Sequence, residues 1–239
     1  MDTTAPLLRA HGSLALATPT PASGGRSTAR LAELAILFLG APAAMAIAIF
    51  TFRLPLFLVL QPVLIGLVAF LLWDRTFSLK RELSRGFGLG EAASILAIFA
   101  VAAGLVTWAT LELFPHLFLS FPRQRFKLWR MVIVAYPLLS VLAQELIYRT
   151  FFFHRYGALF GTRRWLAIAV NGALFGFAHI LFGNWIAVAG TAVAGALLAW
   201  RYTRTRSFWA ACIEHTLYGW LVFTVGLGGF FFTGIGVVR

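Results

Sequence analysis

The 239 residues are 60% hydrophobic and 12% charged, with a mean hydropathy of +0.85. A soluble domain must cover its surface with polar side chains, so this balance excludes one and predicts an integral, multi-pass membrane protein. The formal net charge of +12 is spread over loops between apolar runs and forms no single basic face, which favours anionic lipid headgroups as partners over nucleic acid.

Residues 1–30, rich in Thr, Pro, Ala, Ser and Gly, read as a disordered tail that cannot bury enough apolar area to order itself. A signal peptide is the competing reading, but Arg9 and His11 interrupt its only apolar core. From residue 31 onward, apolar runs near 31–50, 54–73, 92–112, 131–153, 164–182, 185–200 and 207–226 are long enough to cross about 30 Å of hydrocarbon as helices. The expected fold is an all-α polytopic membrane bundle of about seven or eight spans over 31–239. The Gly-rich piece Leu227 to Val238 is either a half-span or an interfacial end. Trp73, Trp129, Trp165, Trp185, Trp200 and Trp209 fall near proposed span ends, at the depth where an amphipathic ring can be half wet.

Basic residues bias loops toward the cytoplasm. The tail and the loops containing Arg75, Lys80, Arg81 and Arg85, then Arg155, Arg163 and Arg164, then Arg201, Arg204 and Arg206, are expected inside, with the N-terminus. Seven spans satisfy that alternation. They put Arg123, Arg125, Lys127 and Arg130 outside, against the rule, in a region that Pro115 and Pro122 interrupt. The single cysteine, Cys212, excludes an intrachain disulfide and a Cys-rich metal site.

Carboxylates become scarce in the second half of the chain. After Glu112 only Glu145 and Glu214 remain, and both lie inside or at the margin of a predicted span. An ionisable group in a membrane helix costs roughly 2.5–3.5 kcal/mol on insertion scales, so it faces the protein interior with a partner. Glu145 and Arg149 are four residues apart with the acid first, the better order for an ion pair on a helix. Asn171, Phe175 and His179 recur at intervals of four, beside a seam formed by Gly172 and Gly176. Glu214 and His215 are adjacent in the last full span. Each group alone reads as packing or as an ion pair between helices. Together, a carboxylate, a guanidinium and two imidazoles on three spans provide a base, a charge partner and hydrogen-bond donors for hydrolysis.

These residues resemble the CAAX-processing and bacteriocin-processing (Abi) family of glutamic-type intramembrane proteases, which includes the prenyl-protein endopeptidase Rce. The resemblance rests on QELIYR at Gln144 to Arg149, FGFAH at Phe175 to His179 and HTLYG at His215 to Gly219, on motif helices near 131–153, 164–182 and 207–226. It implies an intramembrane endopeptidase of a bacterial cytoplasmic membrane that cleaves a membrane-anchored peptide or protein. It implies that His179 activates water, that His215 donates to the oxyanion and that Arg149 is the charge partner of Glu145. Two positions depart from the pattern. Gln144 replaces the first Glu, and an amide cannot take a proton as a carboxylate does; Gly219 replaces an Asn that would donate to the oxyanion.

Either Glu145 or Glu214 can supply the missing carboxylate, and the expected site includes both acids, Glu145 first because its Arg149 partner is present, with Asn184, Tyr218 and Phe175 as accessory residues. A metal-free reaction is the favoured reading. Zinc on His179, His215 and Glu145, as in a metalloendopeptidase, is the nearest competing chemistry, although the His-Glu-x-x-His spacing is absent. Two further readings remain open: a catalytically inactive peptide-binding or immunity protein, and a proton-coupled transporter.

Overall fold

The computed structural model describes residues 24–54 and 56–231, and all regular structure among them is helical. In chain order the helices are α1 (Ser27–Phe52), α2 (Leu56–Trp73), α3 (Leu79–Ser84), α4 (Leu89–Leu113), α5 (Ser120–Gln124), α6 (Phe126–Phe160), α7 (Arg164–Phe182), α8 (Trp185–Thr205) and α9 (Phe208–Val225). The helical path into α1 starts at Gly24, so residues 24–30 of the expected tail are helical. The rest of the tail, and residues 232–238 of the expected C-terminal piece, lie outside the described residues. Leu227–Phe231 forms a 3₁₀ turn.

Among the described residues, α1, α4, α6, α7 and α8 are long and apolar enough to cross a membrane, and Leu60–Trp73 of α2 is a shorter apolar helix. α9 has 18 residues, yet it is less apolar because Glu214 and His215 interrupt it. Five of the seven expected spans thus correspond to helices that qualify by length and composition alone. Among the described residues the bundle nevertheless contains seven long helices. Ile36, Leu105 and Val193 are exposed on its outer surface, as a hydrocarbon solvent allows.

Contacts at the two ends fix the helix directions. At one end the Arg155 guanidinium donates to both oxygens of Glu33 at 2.9 and 2.8 Å, His154 meets Asp74 at 3.0 Å, and Ser207 donates to the Arg85 carbonyl at 2.8 Å. At the opposite end the Leu119 amide donates to the Val225 carbonyl at 3.0 Å, Trp129 donates to Thr224 at 3.2 Å, and Asn184 donates to the Phe230 carbonyl at 2.8 Å. The seven long helices therefore alternate in direction, with α3 and α5 as short pieces at opposite ends. Arg75, Lys80, Arg81, Arg85, Arg155, Arg163 and Arg164 gather at the first end. Arg123, Arg125 and Lys127 stand at the second, so the departure from the charge rule persists in the fold.

Close packing positions the site-bearing helices. A side chain at Gly172 would start 2.8 Å from the Ala192 carbonyl oxygen and from the Ala196 methyl, and one at Gly176 would start 2.6 Å from the Ala192 methyl. The small-residue seam read from the sequence is what lets α7 lie against α8. Gly195 of α8 leaves room for the Phe175 ring, which would lie 2.8 Å from an added Cβ. α6 is not uniform: π-helical turns at Pro137–Val141 and Leu146–Phe151 flank the short α-helical stretch Leu142–Glu145. Pro137 has no N–H to give the regular ladder, and such wide turns shift the phase of the side chains that follow.

Candidate active site

Glu145 is fully buried on α6, and its two oxygens face different partners. Oε1 lies 2.8 Å from His215 Nδ1 on α9, and Oε2 lies 3.1 Å from Arg149 Nε one turn along α6. Arg149 is equally buried; its Nη1 donates to Asn171 Oδ1 on α7, and its guanidinium carbon stands 4.9 Å above the centre of the Phe175 ring. Asn171 returns the contact to α6, donating from Nδ2 to the Tyr148 carbonyl at 2.6 Å. Three helices are thereby tied together through one carboxylate and one guanidinium. Leaving either charge alone in so dry a place would be costly.

Phe175 is the hub of the apolar side. Its ring centre lies 4.7 Å from the His179 ring, 5.6 Å from that of His215 and 5.0 Å from that of Tyr148. The two imidazoles thus share one aromatic neighbour, which the Phe-x-x-x-His spacing on α7 supplies. His179 Nδ1 lies 2.7 Å from the Phe175 carbonyl oxygen. A carbonyl only accepts, so that nitrogen carries the proton; at His215 the Glu145 carboxylate fixes the same tautomer. Both imidazoles therefore turn Nε2 outward as an acceptor, and neither Nε2 has a hydrogen-bond partner among the described residues.

Gln144 donates from Nε2 to Ser140 Oγ at 2.6 Å, while its Oε1 is buried without a partner. His179 also packs against Phe182 and Phe231, with ring centres 5.6 and 6.5 Å away. These contacts set the cluster between the middle of the bundle and the end bearing Gly183 and Phe231. His179 closes α7 where that helix reaches the second end, opposite the Arg-rich one.

Glu214 is drawn elsewhere. Arg201 Nε donates to its Oε2 at 2.7 Å, Tyr218 donates to its Oε1 at 2.8 Å, and Arg201 continues to Glu91 of α4 at 2.7 Å. Next to His215 in sequence but about 100° away around the helix, Glu214 joins α9 to α8 and α4, and the structure does not bring it to Glu145. The accessory candidates are occupied too. Tyr218 is spent on Glu214, while Asn184 caps α8, accepting from the Ala187 amide at 2.8 Å.

Among the described residues no three His, Cys, Asp or Glu side chains are grouped to hold a metal ion. Glu145, the expected third zinc ligand, has its oxygens turned to Arg149 and His215 Nδ1, so this donor set does not fit zinc, and the metalloendopeptidase reading gains no support. Sequence reasoning missed Tyr136, whose ring packs edge-on to His215 with centres 6.0 Å apart and fills the space beside Gly219. The available signal was the spacing: Tyr136, Ser140 and Gln144 recur at intervals of four.

Residues 126–221 match the family model described as type II CAAX prenyl endopeptidase Rce1-like. The matched segment contains all three motifs and runs from the start of α6 into α9, so the resemblance drawn from QELIYR, FGFAH and HTLYG holds over the helices that build the cluster. No curated protein and no solved structure matches the chain.

Proposed function

We propose that this membrane protein, Rce1-like over its motif helices, is an endopeptidase that hydrolyses a peptide bond of a membrane-associated polypeptide without a metal. The observation that carries the reading is the 2.8 Å contact between His215 Nδ1 and Glu145 Oε1, backed by Arg149. A carboxylate behind an imidazole fixes its tautomer and stabilises the imidazolium that forms when Nε2 takes a proton, the arrangement hydrolytic sites use to activate a nucleophile.

In this reading His215 Nε2 draws a proton from water as the water oxygen bonds to the scissile carbonyl carbon. The carbonyl π pair moves onto its oxygen. His215 then returns the proton to the leaving nitrogen as the C–N bond breaks. His179, with Nε2 also an acceptor, takes the second hydrogen of the same water as a hydrogen bond and so orients the attack. Arg149 keeps Glu145 in place, and Gln144, with its Oε1 free, is a further acceptor for water. Glu214 has a structural part. The basic end of the bundle, with Arg75, Lys80, Arg81 and Arg85, is proposed to meet anionic headgroups.

The test uses purified full-length protein in liposomes and a fluorogenic reporter peptide ending in a Cys-aliphatic-aliphatic-X tetrapeptide, with and without a farnesyl group. Cleavage that survives chelator and disappears in His215→Asn supports the proposal. Gln144, standing where the related pattern has a carboxylate, favours one alternative: saturable binding of the reporter with no cleavage makes the chain a peptide-binding protein instead.

A further inference from the structure

We infer that the Tyr136 hydroxyl is the oxyanion donor of this site, a role that rests on the peptidase reading above. Hydrolysis of an amide puts negative charge on the carbonyl oxygen, and that charge needs a donor that the ground state does not consume. The two imidazoles do not supply one. Each has its Nδ1 proton committed, His179 to the Phe175 carbonyl and His215 to Glu145, and each presents Nε2 as an acceptor. Gln144 has an amide donor on Ser140. Arg149 has an unpaired Nη2, but it is sealed inside the protein in a guanidinium stacked over Phe175. Tyr218 and Asn184 donate elsewhere.

Tyr136 remains. It is half-buried on α6, and its hydroxyl has no hydrogen-bond partner among the described residues. Its ring meets His215 edge-on at 6.0 Å between centres and Phe223 at 5.5 Å, which fixes the ring plane without engaging the oxygen. The second observation is Gly219. An added Cβ there would run into the Tyr136 ring and stand 2.7 Å from its hydroxyl oxygen. Tyr136 thus fills the volume that a side chain one turn beyond His215 on α9 would take, and it brings an O–H donor into that volume. Donor and base then flank one carbonyl: His215 Nε2 takes the water proton, and Tyr136 holds the oxygen that becomes negative. The phenol gives a hydrogen bond and keeps its proton.

The experiment compares wild type, Tyr136→Phe and Gly219→Ala, using the farnesylated reporter and an analogue in which a phosphinate replaces the scissile amide. Tyr136→Phe keeps the ring packing and removes only the hydroxyl. The expected result is a kcat lower by about 100-fold with KM within about twofold, and phosphinate binding weakened by about the same factor while binding of the uncleaved reporter is unchanged. Gly219→Ala, which pushes the ring aside, is expected to show the same pattern. Wild-type turnover with an undiminished Tyr136→Phe overturns the donor role and leaves the peptidase reading standing. A wild type that cleaves nothing overturns the peptidase reading. Equal phosphinate affinity in wild type and Tyr136→Phe overturns the donor role whether or not cleavage is seen.

Discussion

His215 and Glu145 lie 70 residues apart in the chain and 2.8 Å apart in the bundle, joined through Nδ1 and Oε1 with neither side chain more than slightly exposed. Because the carboxylate acts only through the imidazole, the two are expected to behave as one unit. Glu145→Gln offers His215 an amide, which no longer stabilises the imidazolium, and kcat is expected to fall by about 10³- to 10⁴-fold. His215→Asn should lose as much. The double variant should be no slower than His215→Asn alone, since interacting members of one catalytic unit are not additive. Single-turnover rates in liposomes check this; two full losses that multiply would separate the residues and sink the dyad.

Glu214 lies beside His215 in sequence and yet has a different part. Its carboxylate holds Arg201 at 2.7 Å, and both side chains are fully buried. Removing Glu214 takes away the fully buried one of the two carboxylates on Arg201 and leaves that guanidinium Glu91 of α4 at 2.7 Å, so the loss is smaller than the roughly 3 kcal/mol of a fully uncompensated buried charge. Glu214→Gln is therefore expected to lower the thermal midpoint in detergent while kcat of the folded fraction stays within about threefold, the scale of a change that touches no reacting group. A kcat loss like that of Glu145→Gln at an unchanged midpoint would return this carboxylate to the chemistry.

Such contrasts mark how far a one-dimensional reading reaches. Apolar run length, the cost of burying charge and the i, i+4 spacing were enough to identify the helical bundle, the Glu145–Arg149 pair and the Gly172–Gly176 seam, because each depends on local geometry or on a single energetic penalty. Which acid meets which imidazole was not legible. Adjacent positions on α9 point about 100° apart, and only the packing of α8 and α4 decides that Glu214 turns to Arg201 while His215 turns to Glu145. Tyr136 escaped notice because a lone Tyr in an apolar run is ordinarily packing, and its meaning depends on Gly219, which is 83 residues away in the chain. The same polarity that builds the site, at Glu214 and His215, keeps the 18-residue α9 from qualifying as a span on length and composition alone.

Acid should loosen one corner of the bundle. Thr76 and, more weakly, His154 hydrogen-bond the Asp74 carboxylate just beyond α2 and hold it below its ordinary 3.8, at about 2. A carboxyl depressed in the folded state stabilises above its unfolded value and loses that contribution as pH falls through the folded one. The Asp74 contribution is thus complete above about pH 4 and gone below about pH 2. Thr76→Val removes the hydroxyl donor, so its thermal midpoint should lie below that of wild type at pH 5, and the two should converge as pH approaches 2. A gap that is constant across that window would show that Thr76 acts through packing and not through Asp74.

Gln144 allows the division of labour in the site to be tested by gain instead of loss. Its Oε1 is buried and unpaired while Nε2 donates to Ser140 Oγ at 2.6 Å. In Gln144→Glu a carboxylate oxygen takes the place of Nε2, and the Ser140 hydroxyl reverses to donate to it, so the substitution creates no orphaned donor. In the proposed reaction the new carboxylate would add a second proton acceptor for the water that His215 activates. A positioned general base contributes about 10²- to 10⁴-fold, and because His215 already fills part of that role the expected gain in kcat is smaller, about 10- to 100-fold. The adjacent Glu145 charge opposes the change, but Arg149 answers Glu145 on the other oxygen at 3.1 Å, so the like-charge penalty should appear as a modest loss of thermal midpoint. Steady-state kinetics on the farnesylated reporter decide the matter. A kcat that is unchanged or lower would mean that the position no longer reaches the water and that His215 alone accepts its proton.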